Sequence, residues 1–448
     1  RSADMTLLRQ LIAGDWRSGG GDAIQSINPS CPSVVVAEGN SATAGDVDDS
    51  IQAARGAFPA WSSTPIHQRG TLLSAAAAIV ESHAAEWGLE LATEEGKTRP
   101  EAVGEVLRAA QILRYYGAEG DRVGGELYAS PRAGEHILVT RRPVGVVGAI
   151  TPFNFPIAIP AWKIAPALVF GNTVVWKPAN AVPLLAVRLA QALTDAGLPA
   201  GVLNLVIGDP TVGEAIVNHP DIDAITFTGS TVIGRRIAAA AAARGVPVQA
   251  EMGGKNAAVV LEDADFDLAL EQVMLGAFRS TGQKCTATSR LIVTERIADR
   301  FLDALVKQAA ALRVGDPVDD ATQMGPVVSD SAWSSIHAGI TTAKAQHGAV
   351  LTGGEPYSDG PLMEGYFVAP TIIDVAESCD LWTEELFGPV VAVRRAADAD
   401  EAFSLANEGE FGLSAAVFSQ DVTQVLDAVR DLDVGVLHIN SESAGADP

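Results

Sequence analysis

From residue 144 onward, short apolar runs alternate with helical segments, and that alternation restricts the chain to few folds. Val144–Ile150, Thr173–Trp176, Val202–Ile207, Ala224–Phe227 and Val248–Ala250 read as strands. Pro183–Ala196, Gly213–Val217 and Gly234–Ala243 read as helices between them. Buried strands joined through helices pair in parallel, because only a crossover returns the chain to the same end of a sheet. A second series follows Glu251: Ala257–Leu261, a helix over Leu268–Phe278, Leu291–Val293, Val390–Val393 and Ala415–Phe418. The expected class is α/β, with one doubly wound parallel sheet before about residue 251 and another after it. Upstream, a helix is expected over residues 71–91. Another carries the stripe Val103, Val106, Leu107, Ala110 and Leu113. The Gly-rich stretch 120–142, with alternating β-type residues at Ile137–Thr140, reads as a projecting hairpin.

At 448 residues the chain is too long for one compact core, so two or three domains are expected. With 48% hydrophobic and 19% charged residues it is core-forming rather than disordered. A net charge of −24 repels phosphate backbones and anionic lipid, which argues against nucleic-acid and membrane-surface partners. The three cysteines, Cys31, Cys285 and Cys379, fit no metal-binding spacing, so no metal is expected. So sparse a count suits a reducing compartment, and the amino terminus shows no secretory pattern; the expected location is cytoplasmic. Residues 144–176 carry one charge, Lys163, and could be misread as membrane-spanning, but Pro152, Pro156, Pro160 and Pro166 are expected to break any helix there, and a buried strand–loop–helix–strand unit is the better reading.

Three residues have the chemistry of acyl transfer. Cys285 ends the run Ser280-Thr281-Gly282-Gln283-Lys284-Cys285, and Glu251 lies 34 positions earlier, before Met252-Gly253-Gly254-Lys255. A thiolate attacks a carbonyl, and a carboxylate base then activates water to release the acyl group. Asn154 lies in the Pro-bounded loop Thr151-Pro152-Phe153-Asn154-Phe155-Pro156 after a buried strand. Its amide can donate to a developing oxyanion together with the Cys285 N–H. Each also has a plain structural reading: an inert buried thiol, a surface carboxylate, a turn-capping amide. Lys284 and nearby amides are expected to favour the thiolate.

A dinucleotide site is suggested at two strand ends. Phe227-Thr228-Gly229-Ser230 runs from a strand into a helix, whose free N–H groups suit a phosphate. Trp176-Lys177-Pro178-Ala179-Asn180 follows another strand at the end where open α/β sheets bind ligands. Alone, the first is a turn and the second a solvated lysine.

Together these segments resemble the aldehyde dehydrogenase superfamily, and the likeness runs from about residue 15 to 440. Lys177 lies 23 residues after Asn154, the family interval, which makes it a ribose ligand. Thr383-Glu384-Glu385-Leu386-Phe387-Gly388-Pro389 resembles the run that binds the nicotinamide end, assigning Glu385 to the ribose and Phe387 to the ring. Thr151, Phe153, Gly229 and Ser230 join the cofactor set by the same resemblance. The resemblance implies a Rossmann-like cofactor domain at 1–119 and 143–251 and a catalytic domain at 252–438. It also implies a β-hairpin oligomerisation element from 120–142 and 439–448, giving a homodimer or homotetramer. NAD-preferring relatives carry Glu where this chain has Asn180, and a neutral side chain does not repel a 2′-phosphate; NADP is favoured over NAD. The implied reaction oxidises an aldehyde to an acid through a Cys285 thiohemiacetal and thioester.

For the substrate, two readings of Arg279 stay open. It lies six residues before Cys285, where succinate-semialdehyde dehydrogenases bind a distal carboxylate, or it is a helix-end cation. The second arginine of that pocket would fall at Trp162. The runs 152–163 and 282–290 look most like the branch that oxidises α-ketoglutaric semialdehyde (2,5-dioxopentanoate). Succinate-semialdehyde and broad-specificity dehydrogenases are the alternatives. Relatives continue with a Pro-Phe-Gly-Gly segment and a last strand, whereas this sequence stops at Ser441–Pro448. A coenzyme-A-dependent enzyme is disfavoured by Glu251. A cysteine hydrolase is disfavoured because, of the seven histidines, only His438 is close to a candidate site.

Overall fold

The computed structural model describes residues 6–445. Strand burial on both faces follows from the apolar runs. In Val146–Ile150 and Thr173–Lys177, Val146 and Val175 pack toward one layer of helices, while Val147 and Val174 pack toward the other. The first layer holds helices Ala44–Ser63, Pro210–Asn218 and Thr231–Ala243, and the second holds Arg99–Gly117, Ala158–Val169 and Leu184–Asp195. A strand apolar on both faces has to be covered twice, which is the doubly wound arrangement.

The first large sheet runs in the order Val248–Glu251, Ala224–Thr228, Val146–Ile150, Thr173–Lys177, Leu203–Leu205, Gln10–Ile12, Asp15–Arg17. Its first five strands are parallel, and the last two are antiparallel additions. The chain moves outward from Val146–Ile150 through the strands at 173 and 203, then returns to the other side at Ala224–Thr228. This reversal leaves a crevice beyond the carboxyl ends of Val146–Ile150 and Ala224–Thr228, the place where open α/β sheets take ligands. Thr151 and Gly229 are the first residues to leave those two strands.

A second seven-stranded sheet has the order Ala349–Thr352, Thr371–Asp374, Val390–Ala396, Thr288–Thr294, Asn256–Val260, Ser414–Phe418, Val436–Ile439. It is parallel except for Ala349–Thr352. The α/β class with two parallel sheets is thus present as expected. Gly125–Ala129 and His136–Thr140 pair as an antiparallel hairpin whose Leu127 and Leu138 are 69% and 71% exposed.

Two local expectations are corrected. The helix over 71–91 is two helices, Ile66–Ser82 and Ala84–Glu95, parted at His83. Apolar periodicity does not register a one-residue break, which His83 fills by stacking on Trp87 at 4.8 Å. Pro160 and Pro166 do not end a helix: both lie inside Ala158–Val169. Pro160 falls in the first turn, where no intrahelical acceptor awaits its missing N–H, and Pro166 falls in the last. Among the described residues no helix is long and apolar enough to cross a membrane.

Candidate active site

Cys285 is presented by a wound turn. Ser280, Thr281 and Gly282 take φ values of 52°, 56° and 68° in succession, the left-handed region that a β-branched residue rarely enters. Tertiary bonds hold it. The Ser280 N–H donates to Glu101 Oε1 at 2.8 Å, Thr281 Oγ1 to the Gly325 carbonyl at 3.0 Å, and the Val328 N–H to Gln283 Oε1 at 3.0 Å. Gly282 has no alternative, since a Cβ there would lie 2.3 Å from the Gly388 carbonyl oxygen. After the turn, Asn256 Nδ2 donates to the Cys285 carbonyl at 2.7 Å.

Asn154 is buried, and its Nδ2 donates to the Gln283 carbonyl at 2.9 Å, so its amide reaches the cysteine segment across the crevice. Glu251 closes the edge strand Val248–Glu251 and is exposed; Gln249 Nε2 donates to its Oε1 at 2.8 Å. Gly253 and Gly254 let the following backbone pass close by: a Cβ on Gly253 would meet Glu385, and one on Gly254 the Cys285 carbonyl. Glu385 Oε1 accepts from the Gly254 N–H at 3.1 Å. Phe153 and Phe387 meet edge to face at 5.8 Å. Cys285, Asn154, Glu385, Phe387 and Phe153 therefore gather at one place, with the charge of Glu251 felt there.

Burial pushes the Cys285 thiol up to about 11, and the carboxylates of Glu385 and Glu251 add to the rise; its own N–H and that of Thr286 act in the opposite sense. This corrects the expectation for Lys284. Its ammonium lies 3.5 Å from Glu442, on the cavity side, rather than serving the sulfur. Of the groups acting most strongly on the sulfur, the two amides are those that favour the thiolate. Raised values put the neutral thiol in the resting protein at pH 7. Alkylation of Cys285 by iodoacetamide is expected to quicken about ten-fold per pH unit between about pH 7 and pH 10. Glu385→Gln removes a negative neighbour and should shift that profile to lower pH. A plateau already reached at pH 8 in the parent protein would contradict the burial argument.

The cofactor candidates line the crevice. Ser230 caps helix Thr231–Ala243, accepting from the Ile233 N–H, and Gly229 N–H donates to the Glu251 carbonyl at 3.1 Å. Thr231 Oγ1, in the first helical turn, is buried without a hydrogen-bond partner, so a phosphate oxygen would find a donor there. Thr151 is buried, and its hydroxyl accepts from Trp176 Nε1 at 2.8 Å. Lys177 is buried, with Nζ 3.1 Å from the Pro178 carbonyl and 3.4 Å from Asn180 Oδ1. Desolvation lowers Lys177 to about 8, and the nearby Asp209 counters this. These groups fit a dinucleotide: helix amides, a hydroxyl and a cation border the crevice.

A cavity of about 700 Å³ opens onto Cys285, bordered by Phe155, Trp162, Arg279 and Glu442 among others. None of its lining residues is a histidine, so a cysteine–histidine hydrolase pair is lacking among them. Arg279 follows helix Phe266–Phe278 and points to Glu442 Oε1 at 3.0 Å, with Glu101 at 3.8 Å. It is thus both a helix-end residue and a cavity cation. Sequence reading missed Glu101, Asn256, Glu442 and Asp209, each ordinary in its local run. It also gave no role to Lys163, whose buried Nζ bonds Thr226, the Phe227 carbonyl and Gln249, tying strand Ala224–Thr228 to the edge strand Val248–Glu251.

Known proteins share this design. The Bacillus subtilis α-ketoglutaric semialdehyde dehydrogenase is 42% identical over 97% of this chain and 90% of that protein. The 2,5-dioxopentanoate dehydrogenase of Saccharolobus solfataricus is 38% identical over 97% and 91%. A crystal structure of PnpE with nicotinamide adenine dinucleotide superposes with a TM-score of 0.95 at 35% identity, covering 98% of this chain and 90% of that one. Betaine aldehyde dehydrogenase from Staphylococcus aureus in complex with NAD+ gives 0.94 at 33% identity, covering 97% and 87%. The profile described as the aldehyde dehydrogenase family matches residues 16–448, and with the crevice, the thiol and the two sheets already in place, the chain belongs to that family.

Proposed function

We propose that the protein oxidises a short aldehyde with a distal carboxylate, α-ketoglutaric semialdehyde, to the corresponding acid, using NADP or NAD. The observation that carries this is the meeting of the Asn154 amide and the Cys285 segment, through the Gln283 carbonyl, at a cavity that also holds Arg279. Names of relatives at 42% and 38% identity support the substrate.

In this reading the Cys285 thiol gives up its proton to solvent, and the thiolate attacks the aldehyde carbon. The resulting oxyanion is held by the Asn154 amide and the Cys285 N–H. A nicotinamide cofactor, when bound, supplies the hydride acceptor that turns the sulfur adduct into a thioester. Glu251 then takes a proton from the water that cleaves the thioester. Lys177, Asn180, Thr151, Gly229 and Ser230 hold the cofactor's adenosine and phosphate part, while Glu385, Phe387 and Phe153 hold its reactive end. Asn180 leaves room for a 2′-phosphate, so NADP is favoured; Asp209 pulls the other way, and both cofactors are used.

The residues divide as a cofactor-binding body (1–119 and 143–251), a catalytic body (252–438) and an oligomerisation element around the exposed hairpin. The exposed Leu127 and Leu138 support assembly into a dimer or tetramer, and the protein works in the cytoplasm.

Rates with α-ketoglutaric semialdehyde, succinic semialdehyde, glycolaldehyde and benzaldehyde, each with NAD and NADP, test the reading. The first substrate is expected to give the highest kcat/KM. Arg279→Leu should raise KM for the two carboxylate-bearing aldehydes by roughly ten-fold or more, as for loss of a charged hydrogen bond of about 1.5–3 kcal/mol. Equal effects on benzaldehyde would remove Arg279 from the substrate site, and preference for benzaldehyde would overturn the substrate.

A further inference from the structure

Lys97 is 1% exposed, and although burial works against its charge, the carboxylates of Glu105 and Glu95 hold the ammonium above the ordinary lysine value. It follows the helix Ala84–Glu95 and the left-handed Gly96. Its Nζ lies 2.6 Å from Glu105 Oε2 and donates at 2.7 Å to the backbone carbonyl of Asn154. The same ammonium sits 4.2 Å above the centre of the Phe155 ring. Glu105, 4% exposed, uses its other oxygen to accept the N–H groups of Ile157 and Ala158, at 3.1 and 3.2 Å. Two side chains thus grip the loop from Asn154 to Ala158 along its back, while the Asn154 amide crosses its front to the Gln283 carbonyl.

Stability is a weak reason for such a pair. Desolvating two ions is costly, and well-packed apolar substitutes are often neutral or better. What an ion pair provides and an apolar contact does not is direction: a fixed ammonium and a fixed carboxylate define where one carbonyl and two amides stand. An oxyanion donor works only when it is already aimed, and its aim depends on the groups behind it.

We infer that Lys97 and Glu105 are positioning residues for the reaction, fixing the Asn154 backbone so that its side-chain amide faces the Cys285 segment. This rests on the proposed role of Asn154 as the oxyanion donor.

The test is a mutational cycle on the full chain with aldehyde and cofactor. Lys97→Met with Glu105→Gln removes both charges of the pair together and keeps an acceptor for the Ile157 and Ala158 N–H groups; the remaining neighbour, Glu95, 3.9 Å from Lys97 Nζ, has its carboxyl lifted by burial to about 8, which favours its neutral form. The rate of the first-turnover burst of reduced cofactor is expected to fall by roughly ten-fold, part of the 10²–10³ that an absent oxyanion donor costs. KM for cofactor should stay within about two-fold, since the pair touches no proposed cofactor residue. Combined with Asn154→Ala, the two changes should slow the burst no further than Asn154→Ala alone, because they act through that side chain. A merely structural role would add its own factor in the combined variant. A parent-like burst in the double variant, or full additivity in the combination, overturns the inference while leaving the Asn154 reading intact. A parent-like burst in Asn154→Ala alone overturns both. Should the double variant not fold, Lys97→Arg keeps the charge and enlarges the head group against the Asn154 carbonyl, and the same cycle is read with it.

Discussion

Cys285→Ala is expected to abolish aldehyde-dependent reduction of the cofactor, with kcat down by roughly 10⁴- to 10⁶-fold, the scale seen when a covalent nucleophile is deleted. The side chain removed is small and only partly buried, so the fold should persist and the thermal midpoint should stay close to that of the parent. Cofactor binding, followed by fluorescence of added NADPH, should be retained because Lys177, Ser230 and Thr231 are untouched. The decisive measurement is the absorbance of reduced cofactor with saturating aldehyde. Turnover within about ten-fold of the parent would mean that the sulfur does not carry the acyl group.

Glu251→Gln should separate two halves of the reaction. Attack by the thiol and loss of hydride do not need this base, so a burst near one reduced cofactor per site is expected. In the proposed mechanism hydrolysis of the thioester does need it, and the steady-state rate should drop by about 10²- to 10⁴-fold, the range for a lost general base. Glutamine keeps the size and the hydrogen bond from Gln249, so any effect reports lost basicity rather than lost packing. Removal of this negative neighbour should also let the Cys285 thiol ionise at lower pH, since Glu251 is among the groups that raise it. An unchanged steady-state rate would assign the base elsewhere.

Much of this arrangement was legible in the chain itself. Short apolar runs alternating with helical segments pointed to parallel sheets, and Val146 and Val147 do face opposite helix layers. The segments around Glu251 and Cys285 and the Pro-bounded loop around Asn154 marked a candidate site through their resemblance to a known family. Other features had no local signal. Serine and threonine do not announce a left-handed backbone, so the wound turn at Ser280 and Thr281 had to be seen; it exists because Glu101 and Gly325, far along the chain, hold it. Lys97 reads as a solvated lysine until residues 105 and 154 are brought beside it. Lys284 looked like the partner of the sulfur by adjacency, yet neighbours along a turn point in different directions, and Glu442 captured it.

The turn that presents Cys285 is tethered at Ser280 to Glu101, a residue of the helix Arg99–Gly117 that packs among the helices beside the first sheet, and at Thr281 and Gln283 to Gly325 and Val328 on the opposite side. The thiol therefore hangs from a bridge whose abutments stand on both banks of the crevice. Anything that spreads the banks apart, whether heat, denaturant or a bulky ligand, must slacken the bridge before either sheet melts. Loss of catalysis should accordingly precede loss of global structure on mild heating, with chemical labelling of that one sulfur as the early gauge of the gap.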